Sequence, residues 1–449
     1  MSEMPLSKRD QVLSKLRTYE SRNVTYVDPH GDWPIVWHRA KGNYVWDIEG
    51  KRYLDLTAAF GVAACGHGNR RVLRAACKQF GQLAHGMGDV HPHALKAELA
   101  EALSELTFGR WWKQGARRAK RGKVVFGNSG FESIEAALKT AFLATGRHRV
   151  VAFKGGYHGL GYGALNATHR DLFRGPFRRQ LGEFADFEDF PTVDSDVERV
   201  LSGVEERLRS GRIGAVLIEP IQGRGGFRVA AEGFLSGLRA LCDAHGALLI
   251  FDEIYCGFCR SGKWFACEYE KVVPDLICLG KALTGGFPLS ACVGDVEIMD
   301  EAWPESEGEA IHTSTYLGHP VGCAMALAQI QELKQLRMNQ AVTKKSRYLM
   351  KALSAWSQAI TGGKVTVVGR GLMCGVDFEG AVRDDFPDLG VQLMKAMLRR
   401  GVLILPEGES ALVMGWCPPL TITEKQLEFS IGVMGRCFQH FQRGILNAA

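Results

Sequence analysis

Short, unbroken apolar runs alternate with longer stretches of helical period along the middle of this chain. Ala247–Phe251 and Leu276–Leu279 are too short for helices and are bounded by turn residues, the pattern of strands buried on both faces of a parallel sheet. Lys123–Phe126, Arg149–Phe153 and Gly214–Ile218 belong to the same class, and a helix over Phe131–Leu143 follows the first of them. Strand–loop–helix units in this order predict an α/β fold.

The flanks read differently. Residues 1–40 predict a helix and an extended segment broken at Asp28-Pro29 and Trp33-Pro34. GNYVWDIEGKRYLDL (42–56) alternates apolar and polar residues about Glu49-Gly50, a small antiparallel hairpin. Helices are expected from Arg70 to about Ala84, from about Ala94 to Thr107, and from about Val321 to Leu336. Beyond residue 340 a separate lobe is predicted. It has helices near Lys344–Ile360 and Val391–Arg400 and a closing helix near Glu424–Phe441. Its strands fall at Lys364–Val368, Leu372–Phe378, Leu403–Leu405 and Ala411–Met414. The chain contains no internal repeat and no low-complexity segment.

Composition narrows the function classes. With 449 residues, 46% apolar and 23% charged, the chain has the make-up of a globular protein large enough for more than one lobe. The net charge of +6 is too slight to argue for nucleic acid. Part of the excess sits between Arg110 and Lys123, including Arg117, Arg118, Lys120 and Arg121, and reads as a solvated loop or helix face. The opening MSEMPLSKRD has charge but no apolar core, and no run approaches the ~20 apolar residues of a membrane span, so a cytoplasmic protein is expected. The twelve cysteines are scattered, many in apolar strands, as reduced thiols packed like small hydrophobes. Cys256-Gly-Phe-Cys259, with Cys267 beyond, has no second C-x-x-C to complete a zinc site, and no metal is expected.

The candidate chemistry lies where the strands end. The first buried run ends in Asp252 and the second in Gly280-Lys281, so an acid and a lysine are expected to face one pocket at the carboxyl edge of the sheet. A strand-end lysine followed by Gly285-Gly286 suits a Schiff base, and an acid near a ring nitrogen is the other half of a pyridoxal phosphate site. A helix-capping Asp and a surface Lys would give the same letters. Gly127-Asn128-Ser129-Gly130 before a helix offers free N–H groups to a phosphate, or a plain N-cap at Ser129. Tyr157, among glycines, can lie against a planar ring. Gly159-Leu-Gly161-Tyr-Gly163 faintly suggests a dinucleotide turn but lacks the G-x-G-x-x-G spacing. Glu219-Pro-Ile-Gln222-Gly-Arg224 closes another strand, and one pocket fed by several strand ends accounts for all of these.

Taken in order, from GNYVWDIEGKRYLDL to CPPLTIT, these motifs resemble the class III aminotransferases, pyridoxal phosphate enzymes of fold type I. The resemblance implies a large domain with a mainly parallel sheet (71–335) and a smaller α+β domain built from both chain ends (1–70 and 336–449). It implies pyridoxal 5'-phosphate on Lys281, with Asp252 at the ring nitrogen and Ser129 with the N–H groups of Gly130 and Phe131 as phosphate cup. Tyr157 would stack on the ring, Gln222 would lie near its hydroxyl, and Thr315 would reach the phosphate of a neighbouring subunit, which implies a homodimer with shared sites. The implied reaction moves an amino group from a primary or ω-amine donor to a keto acid or other carbonyl acceptor. Racemase, aminomutase and decarboxylase outcomes occur on the same scaffold and stay open. A nicotinamide oxidoreductase or a silent binding subunit is set against the intact Lys281 and Asp252 and the absent dinucleotide fingerprint.

Two positions depart from the family together. Many members carry an acid after the E-P-x-Q-G motif, paired with an arginine before P-P-L that binds a substrate carboxylate. Here those positions are Arg224 and Gly415. Either Arg224 supplies the missing guanidinium fork, with Arg228 as its understudy, or it is a solvent-facing loop arginine. Phe131 is bulky where the cup usually carries a small residue. Phe60, Met87, Tyr316 and Trp416 are the expected substrate-side residues, though each would serve equally as ordinary core; large and mostly apolar, they point, where they line the site, to a bulky, ω-type or non-carboxylate amine.

Overall fold

The computed structural model describes residues 6–28, 33–116, 120–381 and 388–442. At its centre is a seven-stranded sheet in the order Gly122–Gly127, Ser290–Asp295, Leu276–Leu279, Leu248–Asp252, Ile213–Ile218, Arg149–Phe153, Ala185–Glu188. The short apolar runs all become strands of this sheet. Leu248–Asp252 pairs in parallel with both neighbours, in a register that places Phe251 beside Ile218 and Ile277, and Asp252 beside Cys278. That alignment brings the carboxyl ends of several strands to one edge, which carries Glu219, Asp252 and Lys281. The reversed strand is Ser290–Asp295, antiparallel to Leu276–Leu279 and to Gly122–Gly127. Its sequence, SACVGD, has no alternation to announce it, because all six residues are buried.

Gly130–Thr145 covers one face of the sheet with Ile134, Ala136, Ala137 and Ala141, small residues that let helix and sheet approach closely. It stops at Gly146, whose φ of 65° is the left-handed conformation glycine adopts without a Cβ clash. The helices Val197–Arg209 and Phe234–His245 bury Val200, Val204, Leu208, Phe234, Leu235 and Leu238 in the larger core cluster, which includes Phe153, Val216 and Leu249.

Two further four-stranded sheets flank this layer. Trp37–Lys41, Tyr44–Asp47 and Arg52–Asp55 form an antiparallel meander, which Val402–Leu403 joins in parallel, so residues from both ends of the sequence share one sheet. The hairpin is where its alternation put it; Trp37–Lys41 adds a strand to the segment read as extended. Thr366–Arg370, Met373–Asp377, Val413–Trp416 and Leu405–Glu407 form the other sheet. The helix expected from Lys344 begins at Met338, with Met338 and Val342 buried on the same stripe as Leu349 and Leu353; Lys344 and Lys345 hid that continuation. The strand expected at Ala411–Met414 lies at Val413–Trp416, a shift that decides which way residues 415 and 416 face.

Lys120 and Arg121 of the basic cluster are exposed, and Arg117 and Arg118 lie outside the described residues. All twelve cysteines are free thiols, and Cys77 alone among them is exposed. Among the described residues no helix is long and apolar enough to cross a membrane.

Candidate active site

The structure brings Asp252 and Lys281 to the same edge of the sheet. Lys281 follows Gly280 with a φ of 37°, a left-handed backbone uncommon for a side-chain-bearing residue. Its Nζ lies 4.5 Å from the centre of the Tyr255 ring. Burial lowers the pKa of the amine, while the carboxylates of Asp252 and Glu219 pull the other way. Asp252 is 4% exposed; its Oδ2 lies 2.8 Å from His158 Nδ1, and its Oδ1 accepts the Ile254 N–H at 3.0 Å. A carboxylate has about four lone-pair sites, so two remain for another donor. Glu219, from the next strand, accepts the Tyr157 and Gly223 N–H groups at 2.9 and 3.0 Å. Burial pushes its pKa up to about 7, Asp252 adds to that, and His158 opposes it. A capping Asp and a surface Lys are therefore not what these residues are. His158 and Glu219 escaped the sequence reading, although both sit in strand-end motifs that it had marked.

Around the start of Gly130–Thr145, Ser129 does not cap the helix with its side chain. Its Oγ is buried without a hydrogen-bond partner among the described residues. Glu132 instead holds the loop, accepting Asn128 N–H at 2.6 Å and Asn128 Nδ2 at 3.2 Å. The first-turn N–H groups of Gly130 and Phe131 have no intrahelical acceptor, as at any helix start. Gln222 is likewise half satisfied: Nε2 donates to the Lys154 carbonyl at 2.9 Å, and the buried Oε1 has no partner among the described residues. Tyr157 is half-buried, with its ring 5.5 Å from Phe173 and edge-on to it. An orphaned hydroxyl and amide oxygen, a helix N-terminus, a carboxylate with spare acceptor sites and a half-buried amine together fit an anionic, nitrogenous ring with an aldehyde and a phosphate.

Phe131 is accommodated by the glycine run that resembled a dinucleotide turn. A Cβ at Gly159 would lie 2.4 Å from Phe131 Cβ, and one at Gly161 2.4 Å from Phe131 Cδ2. Gly163 donates its N–H to Glu135 Oε1 at 2.9 Å. Those glycines let a loop close over the helix start; they are not a nucleotide turn.

The substrate-side expectations divide. Phe60, Met87 and Tyr316 are 54%, 55% and 56% exposed in the single chain, and Thr315 is exposed as well. Trp416 does not belong with them. It is fully buried, its indole N–H donates to Ser430 Oγ at 2.9 Å, and it packs in the core. Strand alternation is the reason: Trp416 points toward the closing helix, so Gly415 points the opposite way. A Cβ at Gly415 would meet Phe227 Cε2 at 2.6 Å and Glu407 Cγ at 3.4 Å. Glu407 pairs with Arg224 across 3.0 Å (Oε2 to Nη1). Arg224 is thus neither free nor a solvent-facing loop residue. Burial pushes Glu407 up to about 7, against the pull of Arg224 and Lys281, which places this ion pair within electrostatic reach of the lysine. Arg228 is spent elsewhere, donating to the Phe190 carbonyl at 2.9 Å.

A parallel-sheet edge joining a half-buried lysine, a buried acid and a phosphate-ready helix start defines the fold type I class of pyridoxal phosphate enzymes. The profile of the aminotransferase class-III family matches residues 26–438, and the chain belongs to that family. It is 34% identical to the acetylornithine aminotransferase of Methanosarcina acetivorans over 96% of this chain and 97% of that one. It is equally similar, at 34%, to the 5-aminovalerate aminotransferase DavT of Pseudomonas aeruginosa over 90% and 93% of the two chains. Among solved structures, an amine transaminase from an uncultivated Pseudomonas species in its PLP-bound form superposes with a TM-score of 0.83, 27% identity and coverage of 94% and 98%. The ornithine aminotransferase of Toxoplasma gondii superposes with a TM-score of 0.84, 26% identity and coverage of 98% and 97%. The chain is a pyridoxal-phosphate-dependent aminotransferase.

Proposed function

We propose that this aminotransferase takes its amino group from an ω-type or non-carboxylate amine and passes it to a keto acid, with Lys281 and Asp252 as its catalytic residues. The observation that carries the site assignment is the half-buried Lys281 amine, over the Tyr255 ring and within electrostatic reach of Asp252, itself held by His158 Nδ1 at 2.8 Å. When bound, pyridoxal phosphate supplies the electron sink that lets a proton leave the amine-bearing carbon. Lys281 Nζ would hold that group, and as a free amine it would be the base that takes this proton and later returns one. Asp252 keeps the ring nitrogen protonated, and His158 fixes the orientation of its carboxylate. Ser129 Oγ with the Gly130 and Phe131 N–H groups would hold the phosphate, Tyr157 would lie against the ring, and Gln222 would serve the ring hydroxyl. Thr315 of the partner subunit completes the phosphate site, so the working unit is a homodimer; the exposure of Thr315, Phe60, Met87 and Tyr316 in the single chain supports this.

The donor preference follows from the seat beside Gly415. The family's carboxylate-binding arginine would stand there, and Phe227 fills the space instead. Two similar proteins are named for 5-aminovalerate and putrescine, compounds whose amine is not on a carbon bearing a carboxylate, in keeping with this reading. For the acceptor, Arg224 offers the cation, aligned by its bond to Glu407. Borohydride reduction followed by peptide mapping tests the anchor: label on Lys281 is expected, and label on another lysine would overturn the assignment. Half-reaction spectroscopy with a panel of amines, run against pyruvate and 2-oxoglutarate, tests the substrate classes. A donor profile led by α-amino acids would overturn the preference while leaving the transaminase standing.

A further inference from the structure

A buried aromatic ring faces the lysine, and no role assigned above uses it. Tyr255 lies three residues past Asp252 and is 9% exposed. Two glycines of separate segments clamp its opposite edges: a Cβ at Gly61 would lie 2.7 Å from its Cε2, and one at Gly223 2.3 Å from its Cδ1. Phe227 meets it edge-on at 6.3 Å, and its hydroxyl hydrogen-bonds with the Cys417 side chain. The ring therefore cannot turn aside, and the face it shows carries Lys281 Nζ 4.5 Å from the centroid. Burial, with Cys417 and Glu407 adding to it, raises the phenol well above its ordinary pKa, so it stays neutral and its π-face keeps its negative quadrupole.

On the aminotransferase reading above, we propose that Tyr255 is a positioning residue that seats the Lys281 amine, its ring face holding the ammonium that forms when the free, neutral Nζ takes up a proton. The proton that Nζ takes from the substrate carbon then rests on a cation whose place is fixed until it is given back. Asp252, Glu219, Cys417 and Cys256 also favour the charged amine, and burial opposes it. The ring differs from these groups in that it attracts the cation without accepting its proton.

Competitive acetylation with acetic anhydride over a pH series, scored on the Lys281 peptide of the cofactor-free protein, reads this directly. Tyr255→Leu is expected to lower the apparent pKa of Lys281 by about 0.5 to 1.5 pH units, the span of a desolvated cation–π contact. Tyr255→Phe keeps the face and should titrate as the parent does. In the loaded enzyme the acidic limb of the kcat profile should move with the leucine variant and not with the phenylalanine variant. A folded leucine variant with unchanged titration overturns the proposal. So does a phenylalanine variant that shifts as far, because the hydroxyl would then be acting through Cys417. If the leucine variant does not fold, Tyr255→Met, which fills the space without a π-face, carries the test: a lowered Lys281 pKa beside a parental Tyr255→Phe supports the face, and parental titration in the methionine variant overturns it. A parent protein that gives no reducible adduct at Lys281 would sink the site assignment instead, a result distinguishable from any of these.

Discussion

The carboxylate of Asp252 is over-determined: His158 and the Ile254 N–H each take one of its oxygens, leaving it a single orientation. Asp252→Asn keeps the size and most of those bonds but removes the charge that a protonated ring nitrogen requires. It is expected to fold and bind cofactor while losing roughly a hundred- to a thousandfold in kcat, the scale of deleting one preorganised electrostatic group. Near-normal turnover would show that Asp252 is not the ring partner. Arg224 is a different case, because its charge is already engaged by Glu407 at 3.0 Å. Arg224→Ala removes the proposed acceptor cation and leaves a buried carboxylate unpaired. The apparent KM for the keto acid should rise about ten- to a hundredfold, as expected for a lost charge-assisted hydrogen bond, with little change in the half-reaction of an uncharged amine. If both half-reactions are untouched, the acceptor is held elsewhere.

The strand Val413–Trp416 shows how one register places chemistry. Alternation gives Trp416 to the core and turns the missing side chain of Gly415 toward Phe227, Glu407 and Arg224. Gly415→Arg should therefore fail to restore a carboxylate site. Its Cβ alone would press on Phe227, which is 1% exposed, and overpacking of this kind costs about 1–3 kcal/mol. A lower melting temperature without faster reaction with L-alanine is expected from the single variant. Phe227→Ala/Gly415→Arg should recover the stability and gain on alanine; a single variant that gains as much would show that Phe227 blocks nothing. Legibility in the sequence followed the same physics. Buried strands were readable because each is a short apolar run between turns, and Asp252 and Lys281 because they end two of them. The reversed strand Ser290–Asp295 was not, since burial on both faces erases alternation. Trp416 was misread because the strand had been placed two residues early, and a tryptophan near a family motif looks the same in core or pocket. Glu407 lay hidden for a further reason: its pairing with Arg224 spans 183 residues of chain, a distance no local pattern encodes.

At the scale of the whole molecule, buried acids gather around the carboxyl edge of the central sheet, and not all of them serve the chemistry above. Glu219, Glu253 and Glu407 are each pushed up to about 7, with burial the largest cause in every case. Glu253 is the cleanest of the three, since no proposed role touches it. It accepts the Cys267 N–H at 2.8 Å and the Cys256 thiol at 3.0 Å, inside the core. A carboxyl whose folded pKa stands above its unfolded value of 4.5 binds its proton more tightly in the native state. Its contribution is present in full below the unfolded pKa and is lost as pH rises toward and past about 7. A shift of this size amounts to at most about 3 kcal/mol for one group. Glu253→Gln replaces the neutral acid with a neutral amide of the same shape, and so removes the titration without emptying the space. The parent melting temperature is expected to fall as pH rises across the window from 4.5 to about 7, after correction for other groups by comparison with the variant. The variant should show a shallower fall over that window and should be the more stable of the two at its alkaline end. Thermal unfolding at matched ionic strength, followed by far-ultraviolet circular dichroism across the series, makes the measurement. Parallel curves for the two proteins would mean that Glu253 ionises at its ordinary pKa, and that the Cys267 N–H and the Cys256 thiol hold a charged carboxylate in the core rather than a neutral one.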